Sequence, residues 1–449
     1  MKTGKVESSS AGAVQSLAAG EGSAWVSSAG ATSADGLPQT CGGVLSGPGK
    51  PEVLIASDLP LQGEIGVGPR AMADAIENVL ARHDFRAGRY SVGYRSCDDS
   101  NRQTGNFDQR ICAANANAYA RARELVAVIG PYNSDCAAVE IPILNGAPRG
   151  PLAMISPATT GPGLTARAEP PPWGYKGEPD VYYPTATRNF VRLPPLDDMQ
   201  GTAHALLAKQ LGLRSVYMVS DGAVFWKFLL TDPFRHAARR LGIRVAGTAV
   251  FEPGAKDYGE LADRIARSGA QGVVFGGDPL TGAGDVVRAI RARLGARFPI
   301  MAGHYFAAPV PDVLEIVGRA ARGIYVTTTD VPRAELDLTP AATRFLDGFG
   351  EDALGLAFIL ESAQATELVL RAIARSDGTR ESVLEELKAS HAKNGILGSF
   401  RFDRNGDLTP AKMAIVRLTG STPPSARLPA WLQGAVIDRV VEIPRTLIR

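Results

Sequence analysis

No stretch of about 18 consecutive apolar residues occurs in the 449-residue chain, because charges or prolines interrupt every hydrophobic run, so no membrane-spanning helix is expected. Charge of one sign is missing too. The 48 Lys and Arg stand against 46 Asp and Glu, and a formal charge of +2 gives no electrostatic reason to expect a nucleic-acid partner. Metal-ligand patterns are scarce: four cysteines form no CxxC pair and five histidines (His83, His204, His236, His304, His391) are scattered, so no metal is assigned. The enzyme signatures also fail. VLSGPGKP has Val44 where a phosphate loop needs its first glycine, and Lys50 is followed by Pro51. Gly282-Ala283-Gly284 continues to Val287 rather than to the third glycine of a dinucleotide fingerprint, and no GxSxG nucleophile elbow exists. Asp403-Arg404-Asn405-Gly406-Asp407 is half a calcium loop whose final Glu is replaced by Ala414, so a β-turn is the better reading. No cofactor and no catalytic constellation is therefore expected.

What is present is a chain that can fold. Hydrophobic residues make up 45% and charged residues 21%, which excludes wholesale disorder, and the length suits two or three domain-sized units. The 49 glycines and 31 prolines exceed the usual share of roughly one position in eight and mark many element boundaries. Residues 1–50 are rich in Ser, Gly and Ala. Lys2 and Lys5 are not followed by an apolar stretch, so no export signal is read there. That bears on the compartment, and it is equally the mark of a chain whose natural beginning lies upstream. The segment AAGEGSAWVSSAG supports the second reading, since it weakly resembles the Gly-rich, Trp-containing end of a β-propeller blade.

From residue 51 strands and helices alternate. The strand Val53–Ala56 precedes a helix over about 66–82, the strand Tyr90–Tyr94, a helix over 108–124, the strand Val126–Ile129, a helix over 134–144 and the strand Leu152–Ile155. Residues 168–198 interrupt with a proline-rich insertion or linker, after which the alternation resumes through residue 328. Two long helical stretches follow, 340–350 and 354–374, then the strand-like run Ser399–Phe402 and a Pro-bearing tail. The expected fold is α/β, with two doubly wound parallel-sheet lobes and a ligand cleft between them, beyond the carboxyl ends of the strands. Lobe 1 is assigned 51–193 plus 332–398, lobe 2 194–331 plus 399–420, and residues 421–449 the tail.

Candidate ligand residues sit in the loops after strands. The loop Gly130-Pro131-Tyr132-Asn133-Ser134 brings Ser134 to a helix N-terminus, where free backbone N–H groups attract an anion, and Tyr132 is counted with it. The next strand ends in Ser156-Pro157-Ala158-Thr159-Thr160, a hydroxyl-rich loop able to clasp a carboxylate. Phe225 and Trp226 open a helix after a strand, while Asp278 and His304 project from strand ends in the second lobe. Capping, core packing and a solvated loop acid are the structural alternatives at these positions. For the cysteines, closing the short loop from Cys97 to Cys112 is the preferred pairing, leaving Cys41 with Cys136; four reduced buried thiols are the alternative.

The ordered loops SDLPLQG, YRSCDDS, VAVIGPYNS, AMISPATT and SFRFDRNGD resemble those of the type I periplasmic solute-binding proteins of ABC importers, in the leucine/isoleucine/valine-binding group, over about residues 51–420. The resemblance implies two lobes joined by a three-crossing hinge that close on a small solute, and delivery of the closed form to a membrane ABC permease from an extracytoplasmic location. It implies that Ser134 and the Thr159-Thr160 loop take the ligand carboxylate and that Phe225 is an aromatic lid residue. Where amino-acid binders often place a Glu for the ligand ammonium, this chain has His304, with Asp278 nearby as a substitute. The expected ligand is an amino acid or derivative. The other functional reading is a ligand-sensing module of a larger regulatory protein, motivated by the missing signal and the propeller-like fragment.

Overall fold

Val53–Leu59 (β2) is buried along its whole length, the mark of a strand covered on both faces. The computed structural model describes residues 36–63, 66–167, 177–307, 309–329, 338–350, 356–420 and 430–448. The propeller-like segment and the region searched for an export signal lie outside them. Before β2 comes the short β1 (Leu45–Ser46); after it come α1 (Val67–Arg82), β3 (Arg86–Ala87), β4 (Tyr90–Asp98), α2 (Gln109–Arg121), β5 (Leu125–Ile129), α3 (Ser134–Asn145), β6 (Ala153–Ser156) and β7 (Phe190–Arg192). The strand order β1-β4-β2-β5-β6-β7 is parallel from β4 through β7. Because β4 and β5 flank β2 on opposite sides, the chain reverses its winding there, and a crevice opens beyond the strand ends.

The second lobe repeats this plan. It contains α4 (Met199–Gln210), β8 (Ser215–Ser220), α5 (Val224–Trp226), α6 (Asp232–Leu241), β9 (Arg244–Val250), α7 (Gly259–Arg267), β10 (Val273–Gly276), α8 (Ala283–Leu294), β11 (Ile300–Ala302), α9 (Val310–Val317) and β12 (Ile324–Thr328). The chain then adds α10 (Pro340–Phe349), α11 (Ile359–Arg375) and α12 (Arg380–Lys388) to the first lobe, where Phe345, Leu368 and Leu384 share a core with Ile55 and Ile129. A small antiparallel sheet of β13 (His391–Gly395), β14 (Gly398–Phe402) and β15 (Leu408–Thr409) follows. Finally β16 (Ala411–Leu418) and β17 (Ala435–Ile443) return to the second lobe, giving the order β17-β16-β12-β11-β10-β8-β9.

Several expectations need correction. The helix that Phe225 and Trp226 open is interrupted by a π-helical turn over Lys227–Thr231 before it continues as α6. Pro233, at the start of α6, has no N–H to offer the preceding turn, and the wider turn absorbs the mismatch. The tail is not free: β17 pairs antiparallel with β16 over their whole lengths, from Ala411 with Ile443 to Leu418 with Ala435. Ser399–Phe402 does not join the second lobe either. Phe400 and Phe402 are buried in the first lobe's core, whereas Ala411 and Met413 are buried in the second lobe's, so the chain changes lobes at Pro410. An alternating apolar run states that a strand has one buried face without stating which core receives it.

The disulfide expectation is overturned as well. Cys41 is bonded to Cys97, and Cys112 to Cys136. The segment before β1 lies along the outer edge of β4, where Cys41 and Cys97 form an antiparallel bridge and Arg95 holds the carbonyls of Cys41 and Gly42. Residues before 51 are thus partly tied to the first lobe. Cys112 and Cys136 occupy the first turns of α2 and α3, which pack against each other. Lateral neighbours in the fold, not neighbours in the sequence, determined both bridges.

Candidate functional site

The first wall of the site is built from the loops after β5 and β6. Ser156 ties them together: its hydroxyl donates to the Pro131 carbonyl at 2.8 Å and accepts from the backbone N–H groups of Ala158 and Thr159. Ser134, the first residue of α3, accepts from the Gly161 N–H at 3.0 Å. A hydroxyl carries one donor besides its acceptor lone pairs, so the Ser134 proton stays available to a ligand oxygen, beside the first N–H groups of α3.

The second wall comes from the loops after β8 and β11. Phe225 and Trp226 meet edge to face at 4.9 Å, and Trp226 meets Tyr305 the same way at 5.1 Å. Phe225 lies 5.8 Å from the His304 ring, centre to centre. Trp226 is almost wholly buried, and it fits only because two strand ends lack side chains. A Cβ on Gly303 would stand 2.1 Å from its ring, and one on Gly276 2.8 Å. Gly303→Ala is therefore expected to push Trp226 toward the cleft and to cost about 1–3 kcal/mol through overpacking. Urea unfolding measures the loss, and an unchanged midpoint would show that the ring is not confined there.

Between the walls lies a cavity of about 230 Å³. The first lobe lines it with Ser134, Asp135 and Gly161, the insertion with Glu178 and Tyr182, the first crossing between lobes with Asp197, and the second lobe with Phe225, His304 and Tyr305. Of the residues expected from sequence, Ser134, Phe225 and His304 are brought together on it. Thr160 stands behind the wall, donating to Asp197 at 2.8 Å. Thr159 is fully buried, with its hydroxyl unpartnered, and Tyr132 packs edge to face on Phe358 at 5.9 Å. Asp278 caps the turn after β10 by accepting from the Leu280 N–H at 2.8 Å. None of these last four is among the residues lining the cavity.

Sequence reasoning missed Asp197, Glu178, Tyr182 and Tyr305. Tyr305 and Asp197 had a usable signal, one adjoining His304 and the other following the proline pair at the lobe change. Glu178 and Tyr182 had none, since the insertion has no periodicity to orient its side chains. Glu178 is 5% exposed; its Oε1 accepts from the Tyr182 hydroxyl at 2.6 Å, and its Oε2 is buried without a partner. Burial holds the Glu178 carboxyl above its usual range, the tyrosine bond partly opposing the rise. Burial also lowers the His304 pKa, against a smaller pull from Asp197, which favours the neutral ring at neutral pH. Its Nδ1 lies 3.1 Å from Gln200 Oε1. A neutral ring with the Nδ1 proton placed there keeps Nε2 as an acceptor.

Among the described residues one group of metal-ligating types lies away from the cleft: Asp99, Cys112, Cys136 and Glu140, with ligand atoms within 4.8 Å of one another. Its two sulfurs are bonded to each other, so no thiolate is available there while the bridge stands.

Comparison with known proteins agrees with this architecture. The leucine-, isoleucine-, valine-, threonine- and alanine-binding protein of Pseudomonas aeruginosa is 27% identical over 265 residues, 57% of this chain. The match spans 62% of that relative's length. A leucine-binding protein of Thermotoga maritima superposes with a TM-score of 0.56 at 24% identity, covering 87% of this chain and 99% of its own. A substrate-binding protein of an ABC transporter from Desulfitobacterium hafniense, solved with Leu, gives 0.61 at 19% identity over 82% of this chain and 97% of its own. These structural likenesses carry the two-lobed type I fold. The model of the periplasmic binding protein family matches residues 69–423, most of the chain, and the chain belongs to that family.

Proposed function

We propose that this protein is a non-enzymatic receptor that closes on a small amino-acid-like solute and presents it, outside the cytoplasm, to an ABC permease for import. The observation that carries the reading is the composition of the cavity, with Ser134 and Gly161 on one lobe facing Phe225, His304 and Tyr305 on the other. A ligand held there touches both lobes. It stabilises the closed arrangement by the contacts that only closure completes, and closure is then the transmitted event. The Ser134 hydroxyl and the first turn of α3 suit a carboxylate, and Asp197, held by Thr160, suits an ammonium.

Isothermal titration calorimetry and thermal shift against the common amino acids test the proposal. An amino acid is expected to bind and to raise the melting temperature. Ser134→Ala is expected to weaken binding by about 1 kcal/mol or more, roughly fivefold. A panel in which no amino acid binds, or a Ser134→Ala variant of undiminished affinity, would remove the assignment.

A further inference from the structure

The polar groups that converge on the cleft are mostly of one kind. Asp135, Glu178 and Asp197 line it, and no lysine or arginine among the described residues does. An α-amino acid with an uncharged side chain brings one ammonium and one carboxylate. Its carboxylate is accommodated by the Ser134 hydroxyl and the first N–H groups of α3, and its ammonium neutralises one of the acids. Two acids are left over.

Glu178 has the environment of a side chain waiting for a donor. It is 5% exposed, and its Oε2 has no hydrogen-bond partner. The carboxyl lies so close over Gly163, another lining residue, that a Cβ there would stand 2.1 Å from Oε2. A buried carboxylate oxygen without a partner is costly, and a ligand cation relieves it. Two further features point the same way. The neutral His304 with its Nδ1 turned to Gln200 presents an acceptor, and the half-exposed rings of Phe225 and Tyr305 offer faces that attract a cation.

From these features we infer that the cleft takes a solute with a second cationic group, an ammonium held by Glu178. The inference rests on the solute-binding reading and narrows it. Two sources share this chemistry: a basic amino acid, which also uses Ser134, and a diamine, which does not.

Calorimetry with lysine, norleucine and cadaverine on the full chain tests it. Norleucine is lysine without the side-chain ammonium, and cadaverine is lysine without the carboxylate. Lysine is expected to bind at least tenfold more tightly than norleucine, and Glu178→Gln to bring that ratio to within about threefold. Gly163→Ala, which displaces the same carboxyl without changing its charge, is the second variant should Glu178→Gln fold poorly, and the same collapse of the ratio is expected. Cadaverine binding as tightly as lysine identifies a diamine site; cadaverine binding tenfold or more weakly identifies a basic amino acid. Norleucine binding as well as lysine overturns the inference and leaves the amino-acid receptor standing. Failure of lysine, norleucine, cadaverine and every common amino acid overturns both.

Discussion

Replacing Arg192 by Met is expected to lower the unfolding free energy by about 3–5 kcal/mol, because it removes one side of a buried ion pair. Arg192, the last residue of β7, is completely buried. Its Nε donates to Asp407 Oδ1 at 2.8 Å, its Nη1 donates to the Gly161 carbonyl at 2.7 Å, and its Nη2 meets the Thr165 hydroxyl. Thr165 donates in turn to Asp407 at 2.8 Å. Three parts of the fold meet at this network. Arg192 begins the first crossing to the second lobe, Asp407 precedes the crossing at Pro410, and Gly161 belongs to the loop that lines the cavity between the lobes. The single variant leaves the buried Asp407 with the Thr165 hydroxyl but without its cationic partner. The double variant Arg192→Met, Asp407→Leu is expected to regain a large part of the loss, since an apolar pair carries no desolvation cost. Urea midpoints of the single and double variants measure this, and a double variant no better than the single would show that the charges are not what the site depends on.

Raising the pH from 5 to 8 is expected to destabilise the protein, the reverse of the usual behaviour of paired carboxylates. Asp58, Asp99 and Glu140 are fully buried inside the first lobe. Asn115 donates to Asp58 Oδ1 at 2.8 Å, but Asp58 Oδ2 and both oxygens of Asp99 and of Glu140 have no partner. Burial pushes the Asp58 carboxyl up to about 7, and burial followed by the charge of Asp58 raises Asp99 and Glu140 well above the carboxylate range. The folded protein therefore keeps these protons while the unfolded chain releases them near pH 4. Between those values the unfolded state binds fewer protons, so stability falls as pH rises. For Asp58 the loss begins near pH 4 and is complete just above 7. Asp99 and Glu140 extend it to higher pH. Glu140→Gln keeps the shape without the ionisation, and its melting temperature is expected to change less between pH 5 and 8 than that of the parent. A parent melting temperature that climbs over this interval would refute the account.

The elements were legible because each has a local signature. Val53–Leu59 and Leu125–Ile129 are buried runs bounded by loops, and α1 and α3 start and stop within about a residue of the positions their apolar spacing marks. The Asn405-Gly406 turn also follows from local chemistry, as Gly406 donates to Asp403 at 3.0 Å. Part of the site was legible for the same reason: a residue that opens a helix directly after a parallel strand, as Ser134 does after β5, must stand at the crevice. Thr160 was expected to face the ligand, yet its hydroxyl donates to Asp197, and nothing in AMISPATT reports that a neighbouring crossing will claim it.

The sequence alone determined the alternation of strands and helices and the two-lobed fold with its crevice beyond the strand ends, since hydrophobic period and turn chemistry act over a few residues. Only the tertiary structure decided the partners: Cys41 with Cys97, Arg192 with Asp407, β17 with β16, and Glu178 over Gly163. Each of these joins segments through packing or hydrogen bonds whose strength depends on where the whole chain brings them, and no local pattern encodes that distance.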